Sequence, residues 1–237
     1  MKTKQLTPDL IQLTRLHFVN AYLVREPDGF TLIDTTLGGG AADDLIGAAQ
    51  AAGGEIRRIA LTHGHGDHVG GLDALMARLG DGVTVYLGDA DARYLAGEKV
   101  TDKKMTGSWK DVETVPGERL LGGERIGSLE AVATPGHTLG HIAFLDTRDR
   151  SLICGDVFTA YGQLSVSNHF YWRFPLAYGA TFDRPEDLRS AQRLRELDPS
   201  LLAAGHGPAA KSPAAAMDEA IARSARAIGE PADQRVA

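Results

Sequence analysis

The chain has 237 residues, of which 43% are hydrophobic and 24% charged, and its formal net charge is −6. This composition is that of a globular protein long enough to bury its own core, and the single cysteine, Cys154, excludes an internal disulfide. The mild negative charge, the absence of a long apolar run and an N-terminus without a signal-peptide pattern lead us to expect a soluble, cytoplasmic protein that binds neither nucleic acid nor membrane.

Apolar strand patterns and turn residues alternate in the first half of the chain. Residues 11–24 and 30–33 predict strands on either side of the turn formers at 27–29. A glycine cluster at 38–40 follows, and residues 41–52 predict a helix that Gly53 and Gly54 end. The next predicted elements are a strand over 56–61, a helix over 69–79, a strand over 83–87 and a short helix over 89–96.

Short apolar segments separated by turns continue in the second half and predict consecutive strands between 119 and 154. The elements predicted there are strands at about 129–133, 141–145 and 151–154, a helix over 184–197, a strand over 201–204 and a helix over 213–228. Two halves that are rich in strands and closed by helices predict a layered α/β fold, which we take as one domain over residues 1–237. Two long irregular stretches, 97–118 and 157–183, are expected to serve a site.

A histidine-rich run follows the predicted strand at 56–61. Three imidazoles and one carboxylate occur within six positions, and these are the donors that divalent transition metals prefer. The run lies between a strand and a helix, where catalytic groups gather, and its two glycines allow alternate side chains to converge. The predicted metal ligands in this run are His63, His65, Asp67 and His68.

Three further residues extend this set. Each of them follows a predicted strand and has a glycine beside it: His137, Asp156 and His206. Taken singly, each is a weak signal, because a turn histidine or a helix-capping aspartate is common. Taken together with the run at 63–68, they give seven donors, enough for two metal ions.

The runs THGHGDH and TPGHTLGH, with the later Gly-Asp and Ala-Gly-His-Gly steps, resemble the signature of the metallo-β-lactamase superfamily. The spacing is similar to that of its lactonase and glyoxalase II-like branches, and the resemblance spans about residues 15–210. It implies a four-layer αββα sandwich with the metal ions at one edge of the two sheets. It also implies a first ion held by His63, His65 and His137, a second held by Asp67, His68 and His206, and Asp156 as the bridging carboxylate.

Two divalent ions at such a site share a water molecule and bring its pKa towards neutrality, which supplies a bridging hydroxide that attacks an acyl carbon. Zinc is the favoured metal, with iron or manganese as alternatives. Asp67 is the predicted catalytic residue, because it can ligate through one carboxylate oxygen and take up a proton with the other. No activated serine or cysteine nucleophile is needed.

Other residues are weaker predictions. Asp34 resembles an early aspartate of the family that supports the metal loop, although it could be a plain turn residue. Tyr161 is a candidate for a phenol that hydrogen-bonds the substrate carbonyl, and His141 is expected to be structural or to support a ligand. The aromatic residues of 157–183 either line an acyl pocket or pack against a second subunit in a homodimer.

These observations favour a hydrolase of a small ester, lactone or thioester, whose partner is a small acyl substrate. The alternatives are a di-iron redox protein related to flavodiiron proteins, and weak β-lactamase activity. A binding module without activity is a third reading, which the complete ligand set disfavours.

Overall fold

The computed structural model describes residues 1–230, which build two main β-sheets flanked by helices. The first half contains β1 (Lys2–Gln5), β2 (Leu10–Arg15), β3 (Val19–Glu26), β4 (Gly29–Ile33), α1 (Ala41–Ala51), β5 (Ile56–Ala60), α2 (Gly66–Val69), α3 (Leu72–Leu79), β6 (Thr84–Gly88), α4 (Asp89–Leu95) and β7 (Glu118–Leu120). The second half contains β8 (Arg125–Ile126), β9 (Leu129–Ala133), β10 (Ile142–Asp146), β11 (Ser151–Gly155), β12 (Phe158–Thr159), β13 (Ser165–Val166), α5 (Pro175–Ala180), α6 (Arg184–Glu196), β14 (Leu201–Ala204), β15 (Ala210–Lys211) and α7 (Ala214–Ile228).

The strands of the first half of the chain form one main sheet, and strands of the second half form the other. The first sheet runs β1 to β7 in chain order, antiparallel up to β4 and parallel from β4 to β7. The second has the order β15-β14-β11-β10-β9-β8, in which β14 pairs with β11 in parallel and the other pairs are antiparallel. β12 and β13 form a small separate pair.

Alternating strand residues divide the core into three apolar layers. In β3, Tyr22 belongs to the layer between the two sheets, whereas its neighbour Leu23 packs with residues of α1 and α3. In β10, Phe144 belongs to the layer between the sheets, and Leu145 packs with residues of α6 and α7. Helices therefore cover the outer face of each sheet, and the αββα sandwich is confirmed. That residues 1–237 form a single domain stays a prediction, and residues 231–237 lie outside the described part of the chain.

The predicted helix over 69–79 is wrong at its start. The structure has the single turn α2, then a break at Gly70 and Gly71, and α3 begins only at Leu72. A side chain on Gly70 would overlap the carbonyl oxygens of Gly66 and Thr36, and one on Gly71 would overlap that of Thr35. The two glycines allow this close approach of the backbones, and the helix is interrupted where it occurs.

Residues 157–183 were also expected to be irregular, but they contain β12, β13 and α5. The first strand, β1, was missed because its four residues are all exposed and give no apolar alternation. The strand pattern at 11–24 is two strands, joined by a turn in which Leu16 and His17 have φ of 51° and 69°. Among the described residues, no helix combines the length and the apolar character that a membrane crossing requires.

Candidate metal centre

The seven predicted ligands lie in segments that follow strands of both sheets, and two of them, Asp67 and His68, lie in the short helix α2. The run at 63–68 follows β5 of the first sheet, and the loop carrying His137 joins β9 to β10 in the second. Asp156 follows β11, and His206 follows its parallel neighbour β14. Because parallel strands bring their carboxyl ends to the same edge of a sheet, these loops meet at one edge of the sandwich.

The structure brings all seven side chains together. They form three overlapping groups, within each of which the ligand atoms all lie within 4.8 Å of one another. The groups are His63, His65 and His137, then His63, His68 and Asp156, and finally Asp67, His68 and His206. The first and third groups are the two ligand sets that the sequence resemblance implies, apart from the carboxylate of Asp156.

The rings of His63 and His65 face each other through one nitrogen each. His63 Nε2 lies 3.1 Å from His65 Nδ1. The opposite nitrogen of each ring has an oxygen partner, since His63 Nδ1 is 3.0 Å from Thr62 Oγ1 and His65 Nε2 is 3.1 Å from the Thr106 carbonyl oxygen. Those outward nitrogens carry the protons, which leaves two lone pairs directed at the same point.

His137 and His206 are oriented in the same way. His137 Nδ1 is 3.1 Å from Thr181 Oγ1, and His206 Nδ1 is 3.0 Å from the Phe18 carbonyl oxygen. In each ring the Nε2 atom is therefore the one available to a metal ion. Hydrogen bonds of this kind fix the tautomer and the direction of a ligating imidazole.

His68 is held by an acidic neighbour. Asp34 Oδ2 accepts from His68 Nδ1 at 2.7 Å, and the same carboxylate accepts from the backbone N–H and the hydroxyl of Thr62, both at 2.8 Å. Asp34 thus fixes the ring of one predicted ligand and the residue that precedes another. From the sequence we expected Asp34 to support the loop that carries the ligand run at 63–68, and in the structure its carboxylate contacts Thr62 and His68.

Several inward-facing atoms are buried without a hydrogen-bond partner among residues 1–230. They are His68 Nε2, His137 Nε2 and Asp156 Oδ1. Buried polar atoms are rarely left unpaired, and a divalent cation is the partner that imidazole nitrogens and a carboxylate oxygen share. The donor set therefore fits divalent metal, and a bound ion would satisfy these atoms.

Asp156 lies between the two histidine groups. Its Oδ1 is 3.5 Å from His68 Nε2, while its Oδ2 is 3.6 Å from His137 Nε2 and 3.2 Å from His206 Nε2. Asp67 lies on the other side of His206, with Oδ2 3.3 Å from its Nε2, and its side chain is 29% exposed. Asp156 therefore lies beside histidines of both outer groups, whereas Asp67 faces His206 and the solvent.

In the protein without metal, the pKa values of the predicted ligands differ between the two histidine groups. Burial lowers the pKa of His63 and His137 well below the usual value, so both rings are neutral, which is the form that binds metal. Burial by itself would raise the pKa of Asp156, but the nearby His206 and His68 outweigh it and hold that pKa well below its ordinary range. The pKa of His206 is raised to about 9, because Asp156 and Asp67 outweigh the effect of its own burial.

His141 is not among the ligand groups, as the sequence suggested. Its ring is buried, Nδ1 lies 2.8 Å from Thr134 Oγ1, and Nε2 accepts a hydrogen bond of 3.1 Å from the backbone N–H of Asp156. His141 therefore positions the backbone of Asp156. Burial lowers the pKa of His141 to about 3, which keeps Nε2 free of a proton and able to accept.

Sequence reasoning missed the residues that hold the His206 loop. The Asn20 side chain donates to the carbonyl oxygens of Ala204 and Gly207 at 2.9 and 2.7 Å, and the Tyr22 hydroxyl donates to Ala204 at 2.6 Å. Both residues belong to β3 of the opposite sheet and are buried. A buried asparagine in an apolar strand was the signal available, and it does not reveal its distant partner.

A cavity of about 760 Å³ opens over the ligand groups. Its wall is largely apolar and includes Phe18, Leu37, Trp109, Phe174, Leu176 and Ala177. The aromatic stretch 157–183 thus contributes Phe174 and the start of α5. Tyr161 does not line this cavity: its ring lies 5.6 Å from that of Phe174, which separates it from the ligands, and its side chain lines a neighbouring surface cavity. The structure therefore does not bring Tyr161 to the site.

The chain matches the family model described as the metallo-beta-lactamase superfamily over residues 14–206. It is 43% identical over 209 residues to the uncharacterised protein YobT of Bacillus subtilis, covering 86% of this chain and 89% of YobT. It is 33% identical over 160 residues to the hydroxyacylglutathione hydrolase of Rhodospirillum rubrum, covering 66% of this chain. The chain spans about half the length of that relative, 54%.

Among solved structures, the protein TTHA1623 in a di-iron-bound form has a TM-score of 0.63 and 28% identity, covering 87% of this chain and 96% of TTHA1623. The DIM-1 metallo-beta-lactamase has a TM-score of 0.71 at 16% identity, covering 95% of this chain and 97% of DIM-1. At that identity the likeness to DIM-1 concerns the fold alone. TTHA1623 is thus a protein of similar architecture whose crystal structure contains two irons.

Proposed function

The chain belongs to the metallo-beta-lactamase superfamily, and on that premise we propose that it is a dinuclear metal-dependent hydrolase of a small ester, lactone or thioester. The observation that carries the proposal is the convergence of seven donor side chains, in groups with ligand atoms within 4.8 Å. Five of them line one cavity: His65, Asp67, His137, Asp156 and His206. His63, His65 and His137 would hold one ion, and Asp67, His68 and His206 the other. Asp156 would bridge them.

When bound, two such ions would acidify a shared water and polarise the acyl carbonyl of the substrate. The protein's own groups orient the donors and manage the proton. Asp67 is the more exposed carboxylate of the set, with its side chain 29% exposed against 5% for Asp156, so we assign to it the uptake of the proton released during attack. Asp156, which is buried and faces histidines of both sets, balances the charge of the site.

The cavity wall indicates the kind of substrate. Phe18, Trp109 and Phe174 offer an apolar surface for an acyl or alkyl group, and they exclude water from the reacting carbonyl. Lys110 is the single lysine or arginine among the described residues that line the cavity, and its Nζ donates to the Gly70 carbonyl oxygen at 2.8 Å. A small acyl compound with at most one negative group therefore fits better than a polyanion.

The similarity to hydroxyacylglutathione hydrolases makes a thioester one arm of this proposal, and zinc is the metal we propose. Iron is the alternative, supported by the di-iron form of TTHA1623. Metal analysis of protein purified without added metal distinguishes the two. A panel of lactones, aliphatic esters of increasing chain length, thioesters including an acylated glutathione, and nitrocefin then identifies the reaction.

The proposal is tested with Asp67→Ala and His206→Ala, and His17→Asn serves as the control. His17 is exposed, lies outside the ligand groups and has a positive φ of 69°, which asparagine tolerates. We expect each site variant to retain one metal ion per chain and to lose most of its turnover, while the control keeps two ions and full turnover. Two ions and full activity in either site variant would overturn the dinuclear assignment.

A further inference from the structure

Asp91 carries a fully buried carboxylate that the sequence did not single out. It lies in the first turn of α4 and is 0% exposed. Its Oδ2 accepts from the backbone N–H of Gly64 at 2.9 Å and from the hydroxyl of Thr138 at 2.7 Å, and its Oδ1 accepts from the backbone N–H of Gly140 at 2.7 Å. All three donors are neutral groups, so this carboxylate is held by hydrogen bonds rather than by a cation.

The three donors belong to the two loops that carry the first ligand group. Gly64 is the residue between His63 and His65, and Thr138 follows His137 directly. One loop extends from the first sheet and the other from the second. One carboxylate therefore fixes the distance between the loop that carries His63 and His65 and the loop that carries His137. A backbone hydrogen bond of 2.8 Å from the N–H of Ile142, the first residue of β10, to the Thr62 carbonyl oxygen also joins the two segments.

Two glycines make this contact possible. A side chain on Gly140 would overlap the backbone nitrogen of Asp91, and a side chain on Gly88, the residue before α4, would overlap the carbonyl oxygen of Gly140. The first turn of α4 thus lies directly against the loop that carries His137. The aspartate reaches both loops because the backbones approach closely at these two positions.

An amide could not replace the carboxylate. A carboxylate accepts on both oxygens, whereas asparagine has one acceptor oxygen and one NH₂ group. In either orientation of the amide, its NH₂ faces at least one of the three donors and leaves that donor buried without a partner. The arrangement therefore selects aspartate by chemistry as well as by size.

We propose that Asp91 is a positioning residue for the metal ion held by His63, His65 and His137, and that it sets the affinity of that ion without touching it. This inference rests on the dinuclear site proposed above. It predicts a selective effect, because the donors of Asp91 lie beside one ligand group and not beside the group of Asp67, His68 and His206.

The test compares Asp91→Asn with a matched control, Asp73→Asn. The Asp73 carboxylate also accepts from a threonine hydroxyl and two backbone N–H groups, those of Thr114 and Glu113, but it lies outside the cavity and the ligand groups. Metal content by atomic spectroscopy, competition with a chromophoric chelator and the absorption of the Co²⁺-loaded proteins give the occupancy, the affinity and the geometry of each site. His65→Ala and Asp67→Ala provide the reference patterns for loss of the first and of the second ion.

We expect Asp91→Asn to lower the affinity for one ion by about 10- to 100-fold, as the loss of a group that orients ligands does. The ion affected should be the one that His65→Ala loses. The second ion keeps its affinity, and Asp73→Asn keeps both. Unchanged affinity for both ions, or an equal loss at both that Asp73→Asn also shows, would overturn the inference. If the unaltered protein takes up no second ion, it is the proposed function that fails, and the two failures are thereby distinguished.

A milder pair of variants covers the case in which Asp91→Asn does not fold. Thr138→Val removes one of the three donors and keeps the side-chain shape, while Thr138→Ser keeps the hydroxyl. We expect a several-fold weakening of the same ion in Thr138→Val and restored affinity in Thr138→Ser. Equal affinities in these two folded variants would count against the role of Asp91.

Discussion

Asp34 and His68 form a buried pair in which the carboxylate Oδ2 accepts from the imidazole Nδ1 at 2.7 Å. The relation determines which nitrogen of His68 faces the ligand group. The backbone of Asp34 has a φ of 62°, a conformation that aspartate and asparagine tolerate better than most residues.

Replacing Asp34 should therefore weaken the binding of one metal ion. We expect Asp34→Asn, which suits the same backbone, to lower the affinity of the ion bound by His68 by about 10- to 100-fold. Chelator competition measures the affinity, and Asp44→Asn, at an exposed aspartate of α1, is the control. Equal affinities in the two variants would show that the pair does not orient the ligand.

Gly64 lies against the indole of Trp109, and a methyl group there would overlap the ring. We expect Gly64→Ala to lower the free energy of unfolding by about 1–3 kcal/mol, the usual cost of overpacking a filled space. In a Trp109→Ala background the same change should cost much less, because the obstructing ring is gone. Chemical denaturation of the four proteins measures the coupling, and additive effects would contradict this reading.

Asp91 gives the metal-free protein a specific pH dependence. Burial raises the pKa of Asp91 to about 6 from an ordinary value of 3.8, so folding takes up a proton between these values. This contribution to stability is present below about pH 4 and is lost as the pH rises through 6. Relative to Asp91→Asn, we expect the free energy of unfolding of the unaltered protein to fall by on the order of 3 kcal/mol between about pH 4 and pH 6. Parallel stability curves for the two proteins in the presence of a chelator would refute the shift.

Cys154 should be inert in the folded protein. It is 0% exposed in β11, and burial raises the pKa of its thiol, so little thiolate is available to react. We expect no labelling by a thiol reagent under native conditions and one thiol per chain after denaturation. Rapid labelling of the native protein would mean that the second sheet opens at this strand.

Local patterns sufficed to predict most strands and helices, and to single out the seven donor side chains that the structure brings together. His63, His65 and His137 sit beside glycines at strand ends, and that signal is visible within a few residues of sequence. Asn20 and Asp91 could not be found in this way, because their roles depend on Gly207 and Thr138, which lie far away in the chain. The sequence shows that such a residue is polar, while its partner is determined by how the two sheets dock.

The break at Gly70 and Gly71 also depends on residues that are distant in the chain, here within the first sheet. A pattern of apolar residues predicts a continuous helix there, but contact with the carbonyl oxygens of Thr35 and Thr36 interrupts it. Tyr161 illustrates the opposite error, since closeness to Asp156 in sequence did not bring it to the cavity. Phe174, farther along the chain, has that place instead.

The parallel pairing of β14 with β11 has a consequence for the order in which the donor groups are assembled. His206 follows β14, one of the last strands in the chain, while its partners Asp67 and His68 lie in the first third. The second ligand group is therefore complete only after this long-range pairing has formed, and such pairings form slowly. During synthesis the emerging chain presents the histidines at 63–68 well before their partners, so full coordination of a bound ion, and the stability that it would contribute, would come as one of the final events of folding.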